Sequence, residues 1–313
     1  MTGRRQSSFA WFNFTRLVPA LFVGLWATGF IGAKLGLPYV EPLTFLAVRF
    51  LIVALLLAPV VLWRRAGLGG WANVGHLVMV GLLVHGVYLG GVFISIALGM
   101  SAGLSALIVS LQPLLTAVVA APLLLGEKTT RRQLVGLLLG LTGVMLVLAD
   151  RYALFSGDFS ALNFGPDLLI PLLFSLAALF GITFGVVYQK RFCSTADLWS
   201  GVFVQYLAAA AFTGLLALAF EDNAIVWAGE FIFALGWLVL VLSIGAVSLL
   251  MLMIRGGAAS QVASLFYLVP PVTALAAFLL FDERLGLWSL AGMVVAVLGV
   301  ALVVATPKMA RRG

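Results

Sequence analysis

Three ionisable side chains, Lys34, Arg49 and His85, stand inside long apolar stretches of the chain. Burying such a group in an apolar environment costs several kcal/mol unless it is paired or wetted, so each is a candidate for function. The guanidinium of Arg49 has the geometry to hold a carboxylate or a phosphate. Arg49 lies about 12 Å of helix beyond Glu41, so it alternatively snorkels to the surface or pairs with that acid or with a helix-end carbonyl.

Lys34 and His85 each have two interpretations. Lys34 lies about 27 Å of helix beyond Arg16, close to the end of its apolar stretch, so it either snorkels or reaches a site. His85 lies about 21 Å beyond Trp71, near the middle of its stretch, and Tyr88 shares its helix face. The histidine either carries a proton or forms a static hydrogen bond between helices.

Polar side chains beside prolines extend the candidate substrate site. Gln112 precedes Pro113, and Tyr267 precedes Pro270 and Pro271. Proline removes a backbone hydrogen bond, and the freed carbonyl is tolerated at membrane depth only where protein or cavity water receives it. The prolines therefore predict two bent helices that flank a central site. Two further candidates for substrate binding are Trp26 and Gln205.

The composition indicates that the solvent of this chain is lipid. Of its 313 residues, 63% are hydrophobic and 9% are charged, against roughly 25% charged residues in an average soluble domain. The apolar runs are uninterrupted rather than alternating, which excludes an outer-membrane barrel. We therefore predict an all-α polytopic membrane protein whose first partner is the lipid bilayer.

Residue counts argue against several other functions. The single cysteine, Cys193, permits no intrachain disulfide, and two histidines are too few for a typical zinc site, so we expect no metal or cofactor. The formal charge of +7 resides mainly in short loops between apolar stretches, so we expect no nucleic-acid partner. No Walker motif is available to hydrolyse a nucleotide.

Ten apolar stretches have the roughly 17–25 residues that a membrane-spanning helix requires. Fourteen of the eighteen basic residues fall on the side of the N-terminus, and nine of the eleven acidic residues fall on the opposite side. Because cytoplasmic loops are enriched in Lys and Arg, we expect both termini in the cytoplasm and the protein in the inner membrane. The stretches lie near residues 17–35, 42–63, 73–96, 103–125, 133–149, 167–188, 198–220, 232–254, 260–281 and 287–305.

Two stretches about 156 residues apart, 111–149 and 268–305, carry the same pattern. Five helices per half is an odd number, so the second half must enter the membrane from the opposite side. We therefore predict two inverted five-helix repeats, residues 1–160 and 161–313, with a site between them. The aligned pairs are Glu127 with Glu283, Gly136 with Gly292, Gly143 with Gly299, Pro113 with Pro270, and Arg49 with Gln205.

The four aligned glycines allow helix backbones to approach closely. They serve either static packing or smooth contacts between helices that move, and the fifth and tenth helices are alternatively the interface of a homodimer. Glu127 and Glu283 lie in loops just before the next helix, where an acidic side chain caps the first turn.

Residues 26–37 read WATGFIGAKLGL and are followed by EPLTF at 41–45 and by Arg49-Phe50. Together with the two copies of Pro–x–x–Thr, an apolar run, Gly/Asp–Glu and a later glycine, this opening resembles the drug/metabolite transporter superfamily in its EamA branch. The resemblance covers nearly the whole chain. It implies ten helices in two inverted repeats and the export or exchange of small metabolites. The chain departs from the family pattern at residues 178–180, where a tryptophan is usual, and no lysine of the second half aligns with Lys34.

We therefore predict a secondary-active or facilitative transporter that is not an enzyme and works by alternating access. An amino acid or an organic acid is the favoured small-molecule substrate if Arg49 faces a cavity. A proton-coupled cycle would use His85, Lys34 or Asp150, and an uncoupled cycle is equally compatible. Two alternatives stay open, a passive channel and a membrane-embedded lipid-modifying enzyme, which would need clustered acid–base or nucleophilic groups.

Overall fold

The structure of the protein is a computed structural model that describes residues 5–64, 67, 70–120, 122–123, 130–151, 166–194, 196–246, 249, 266–283 and 286–304. The regular elements of these residues are helical, apart from one isolated bridge between Val40 and Ile225. The all-helical class predicted from composition is therefore confirmed. The α-helices are α1 Arg5–Gly36, α2 Pro42–Arg64, α3 Trp71–Val80, α4 Tyr88–Ala97, α5 Ala102–Val109, α6 Gln112–Leu115, α7 Arg131–Arg151, α8 Pro166–Phe192, α9 Leu198–Phe220, α10 Gly229–Gly236, α11 Val269–Phe281 and α12 Leu287–Val304. Three wider π-helical segments are π1 Gly81–Val87, π2 Thr116–Ala120 and π3 Trp237–Ala246.

Seven helical segments of the described residues are long and apolar enough to cross a membrane, and two further apolar helices are shorter. Large apolar side chains on their outer faces, such as Trp63 and Leu279, remain exposed, as lipid contact requires. The seven are Ala20–Tyr39, Pro42–Arg64, Trp71–Ala97, Ala102–Val119, Leu169–Phe192, Leu198–Phe220 and Gly229–Ala246, and the shorter two are Val269–Phe281 and Leu287–Leu302.

The stretch predicted as one continuous helix at 103–125 is interrupted. Helix α5 ends at Val109, a turn follows, and α6 begins at Gln112 with Pro113 in its first turn. Proline is favoured in a first turn because its missing N–H needs no partner there. In the second half, Pro270 likewise lies in the first turn of α11, which follows a 3₁₀ turn at Phe266–Leu268.

Helices α2 and α9 run antiparallel and are joined at one end by a carboxylate. Glu221, which follows the last residue of α9, accepts hydrogen bonds from the backbone N–H groups of Leu43 and Thr44 at 2.8 and 2.7 Å. These groups belong to the first turn of α2, where N–H groups have no intrahelical partner. Glu41 in turn accepts from the backbone N–H of Asp222 at 2.7 Å. This double contact fixes α2 and α9, which carry Arg49 and Gln205.

Helices α7 and α12 are also antiparallel, and their glycines face each other. A Cβ atom at Gly292 would lie 2.5 Å from the carbonyl oxygen of Gly143, and one at Gly299 would lie 2.7 Å from that of Gly136. Glycine is thus required for this close approach of the two backbones. The four glycine faces are used between two helices of one chain rather than between two copies.

The first turn of α12 is capped from α7 rather than from its own preceding loop. Oδ2 of Asp150 accepts a hydrogen bond from the backbone N–H of Ser289 at 3.1 Å. Glu283, predicted to cap this helix, instead accepts a hydrogen bond from Lys34. That prediction was wrong because the antiparallel packing brings the end of α7 to the start of α12. Glu127 lies outside the described residues.

Replacing Gly143 with alanine tests this contact. The added methyl group would lie 2.6 Å from the backbone nitrogen of Ala296, so we expect the Gly143→Ala variant to lose about 1–3 kcal/mol of stability. The measurement is the apparent melting temperature of the protein in detergent.

Gly75→Ala is the matched control, because a Cβ atom at Gly75 would meet no atom within 4 Å. It should leave stability unchanged or raise it by up to about 1 kcal/mol, since alanine favours helix over glycine. Equal melting temperatures for the two variants would contradict the close approach of α7 and α12.

Candidate functional site

A cavity of about 110 Å³ lies at the centre of the helix bundle. Arg49 lies about 10 Å from the first residue of α2, and Trp26 about 15 Å from the last residue of α1, which puts the cavity near mid-depth. Both halves of the chain contribute to its wall. The lining residues are Trp26, Gly29, Phe30, Arg49, Val84, His85, Tyr88, Leu89, Val92, Phe93, Ile182, Tyr206, Leu242 and Ser243.

Arg49 is the charged residue of the cavity, and 2% of its surface is exposed. Its Nη2 donates to Oγ of Ser243 at 3.1 Å, and that hydroxyl donates to the carbonyl oxygen of Leu238 at 3.0 Å. The Nε and Nη1 atoms have no partner among the described residues. The structure therefore excludes the alternatives of snorkelling and of pairing with Glu41, whose carboxylate contacts Asp222. A buried cation with two unsatisfied nitrogens is a strong attractant for an anion.

His85 lies beside Arg49 in the same cavity. Its ring stacks on Tyr206, with the centroids 4.4 Å apart and the planes 21° apart, and also lies 5.8 Å from the ring of Phe50. The Gln205 side chain forms a hydrogen bond with the histidine. Its Nδ1 is buried and has no partner within the described part of the chain. His85 is thus held firmly by aromatic contacts and keeps one nitrogen available inside the site.

Glycines bring π1, which forms part of the cavity wall, close to its neighbours. A Cβ atom at Gly81, where π1 begins, would lie 2.5 Å from the carbonyl oxygen of Gln205. One at Gly181 on α8 would lie 2.9 Å from the carbonyl oxygen of Leu83 in π1. The wider helical turn is seen in one hydrogen bond: the backbone N–H of Tyr88 donates to the carbonyl oxygen of Leu83, five residues earlier. π-helical segments occur frequently at functional sites because they re-aim side chains.

The sequence candidates divide into two groups. Trp26, Arg49, His85 and Tyr88 line the cavity, and Gln205 lies behind His85. Gln112 does not line it: its side-chain nitrogen donates to Oγ1 of Thr116 at 3.1 Å within its own helical stretch. Tyr267 lies in the 3₁₀ turn before α11, and its side chain falls outside what the structure describes.

Lys34 lies in the last turn of α1, at one end of the bundle, and forms an ion pair with Glu283. Its ammonium also lies 4.8 Å from the centre of the Phe281 ring. Both charged side chains are partly exposed, at 30% and 16%. The pair joins the end of α1 to the segment after α11, and Lys34 is not among the residues that line the cavity.

Ser243 is the polar residue of the site that the sequence did not single out. It is 7% exposed and orients Arg49 by accepting one of its N–H groups. A serine within the apolar stretch at 232–254 was the available signal, but nothing in the sequence pairs it with Arg49. The contact depends on π3, whose widened turns set the direction of the serine side chain.

Comparison with known proteins identifies the chain's family. The model of the EamA-like transporter family matches residues 14–149 and, a second time, residues 169–305. The chain belongs to the EamA-like transporter family. It is 31% identical to the uncharacterized transporter YvbV of Bacillus subtilis over 92% of this chain and 91% of that protein. It is 26% identical to the uncharacterized inner membrane transporter YedA of Escherichia coli over 84% and 83%.

Two partial or structural relatives complete the comparison. A probable amino-acid metabolite efflux pump of Escherichia coli is 27% identical over 56% of this chain and 52% of that protein. A protein of known crystal structure, 22% identical, superimposes with a TM-score of 0.62 over 92% of this chain and 96% of that one, which shows a shared fold. This EamA-like protein is therefore a multi-pass membrane protein, and its family and these relatives are named as transporters.

Variants of the Lys34–Glu283 ion pair test whether Lys34 of this EamA-like transporter stabilises the fold or contacts the substrate. We expect Lys34→Gln and Glu283→Gln each to lower the apparent melting temperature slightly, because a partly exposed pair contributes roughly 1 kcal/mol or less. The double variant Lys34→Glu/Glu283→Lys should recover most of that loss. Affinity for a carboxylate ligand should stay within about fivefold in all three variants.

A different result would identify Lys34 as a substrate contact. In that case Lys34→Gln would abolish ligand binding, Glu283→Gln would not, and the reversed pair would not restore ligand binding. Thermal unfolding and ligand titration on the same detergent-purified samples separate these outcomes.

Proposed function

We propose that the protein is a secondary, non-enzymatic transporter of the inner membrane that exports or exchanges small carboxylate-bearing metabolites by alternating access. The observation that carries the proposal is Arg49, a cation buried in a cavity between the two halves with Nε and Nη1 unpartnered. A substrate carboxylate would satisfy these N–H groups and neutralise the charge. Amino acids and organic acids are the substrate classes with such a group.

Antiparallel packing supports the arrangement of ten helices as two inverted five-helix repeats, residues 1–160 and 161–313. Helices α2 and α9 hold the aligned residues Arg49 and Gln205, and Glu221 joins the end of one to the start of the other. Helices α7 and α12 hold the aligned glycines, and each glycine faces the non-equivalent glycine of its partner helix. A two-fold axis in the membrane plane produces this crossed pairing.

The π segments add a second argument for the repeat. They begin at Gly81 and Trp237, about 156 residues apart, which is the offset that aligns the two halves. Each contacts the opposite half: His85 of π1 stacks on Tyr206, and Ser243 of π3 bonds Arg49. Two equivalent segments would thus reach the same site from opposite sides, as alternating access requires.

The loop charges and the names of two relatives support the proposed location and direction of transport. The loop charges favour cytoplasmic termini, and YedA of Escherichia coli, 26% identical, is named an inner membrane transporter. Export agrees with the name of the partly matching amino-acid metabolite efflux pump. We find no cluster of acid–base groups around a nucleophile in the described residues that would favour a lipid-modifying enzyme.

Ligand stabilisation tests the carboxylate site. We expect leucine, 4-methylpentanoate or both to raise the melting temperature of the detergent-purified protein, by an amount corresponding to about 2.7 kcal/mol at a hundredfold excess over Kd. Glucose and tetraphenylphosphonium should have no effect. In Arg49→Gln, affinity for the carboxylate should fall at least about thirtyfold, because truncating a buried charge pair costs roughly 2–5 kcal/mol.

Arg64→Gln is the matched control, since Arg64 ends the same helix but is exposed and lies outside the cavity. It should bind as the native protein does. Stabilisation by glucose or by the lipophilic cation, or undiminished carboxylate binding in Arg49→Gln, would refute the proposed site.

Exchange kinetics distinguish a carrier from a channel. In proteoliposomes, uptake of the labelled carboxylate that binds should saturate and should accelerate when the vesicles contain the unlabelled compound, because a carrier returns faster when loaded. Flux that rises linearly with concentration and ignores the internal compound would establish a pore.

A further inference from the structure

We infer that the cavity selects small monocarboxylates with an apolar body and rejects the corresponding α-amino acids. This inference rests on the proposed function and narrows its substrate class. It follows from the polar groups, the aromatic rings and the size of the cavity that surrounds Arg49.

The wall provides no anionic partner for an ammonium group. Arg49 is its charged residue, no Asp or Glu is among the lining residues, and the other polar side chains are the His85 ring and the hydroxyls of Tyr88, Tyr206 and Ser243. The hydroxyl of Ser243 already accepts from Arg49, whose positive charge would repel an ammonium at the same oxygen. A buried ammonium without a counter-charge is strongly disfavoured even where neutral acceptors are present.

Among the described residues, no acidic side chain lies at the depth of the cavity. The nine acids of the described residues lie at helix ends or in connecting segments. The sequence puts the other two, Glu127 and Asp158, in breaks between apolar stretches. The described nine are Glu41, Asp150, Asp167, Asp197, Glu221, Asp222, Glu230, Asp282 and Glu283.

The aromatic wall does not compensate for this lack. Ring faces attract cations, and Trp26, Phe30, Tyr88, Phe93 and Tyr206 all line the cavity. An α-ammonium, however, is one carbon away from the carboxylate, so it would lie next to the guanidinium that holds that carboxylate. Two like charges at such a distance repel strongly where water is scarce. The aromatic rings therefore favour an apolar body over a cationic one.

The size of the cavity limits the body of the ligand. A cavity of about 150 Å³ accepts benzene, and this one measures about 110 Å³. An apolar body of about four or five carbons beyond the carboxylate is thus near the upper limit in this conformation. A sugar is larger and carries more hydroxyl groups than the few polar side chains of the wall can pair.

A matched ligand series on the native protein tests the inference by isothermal titration. The series is 4-methylpentanoate, leucine, which adds an α-ammonium, and 3-methylbutylamine, which lacks the carboxylate. We expect 4-methylpentanoate to bind at least about a hundredfold more tightly than leucine, because the added ammonium would be buried beside Arg49 without a counter-charge. The amine should show no saturable binding.

Each other outcome has a defined meaning. Leucine binding as tightly as 4-methylpentanoate, with both lost in Arg49→Gln, would overturn the inference and leave the carboxylate site intact. If leucine or the amine still bound to the Arg49→Gln variant, both the selectivity inference and the proposed carboxylate site would be overturned. Absence of saturable 4-methylpentanoate binding up to about 10 mM, a free energy of only about 3 kcal/mol, would also overturn the inference.

A charge-neutral comparison provides an independent measurement. The native protein should prefer 4-methylpentanoate to 4-methylpentanamide, because only the carboxylate neutralises Arg49. In Arg49→Gln this preference should vanish, since no buried charge remains to be neutralised. A preference retained in the variant would show that Arg49 does not set the selectivity.

Discussion

The burial of Arg49 without a carboxylate partner is the constraint on which the site depends. Arg49 is buried, yet one neutral hydroxyl, that of Ser243, is its hydrogen-bond partner among the described residues. In a low-dielectric interior such a charge persists only where the surroundings hold it or where a ligand compensates it. Ser243 comes from π3 in the second half, so the arginine of one half is oriented by the other.

The surrounding helices are arranged so that this contact can form. Glu221 holds the start of α2 to the end of α9, which sets the height of Arg49 relative to Tyr206. Gly81 lets π1 approach the backbone of α9, and there His85 stacks on Tyr206. Small residues at helix crossings therefore bring the backbones together, whereas carboxylates at helix ends fix the register of the helices.

The sequence predicted the scaffold better than the site, for physical reasons that particular residues illustrate. Apolar length predicts helices, and the cost of burying a charge predicts that Arg49 matters. Gln112 was wrongly expected to line the site, because the sequence does not show that its amide forms a hydrogen bond with Thr116 in its own helical stretch. The role of Lys34 was also hidden in the sequence, because its ion-pair partner Glu283 is distant along the chain. The π segments that aim His85 and Ser243 depend on packing and have no pattern of their own in the sequence.

In the proposed repeat, the two halves contribute unequally to the site. Arg49-Phe50 on α2 aligns with Gln205-Tyr206 on α9, so one half supplies a cation and the other supplies an amide and a phenol ring. Ser243 contacts the cation, whereas the equivalent π segment presents His85 to the ring. A ligand bound by its carboxylate would therefore lie off any two-fold axis, closer to α2 and π3. Aligned glycines can serve the packing of both halves equally, but selectivity requires that the residues lining the cavity differ.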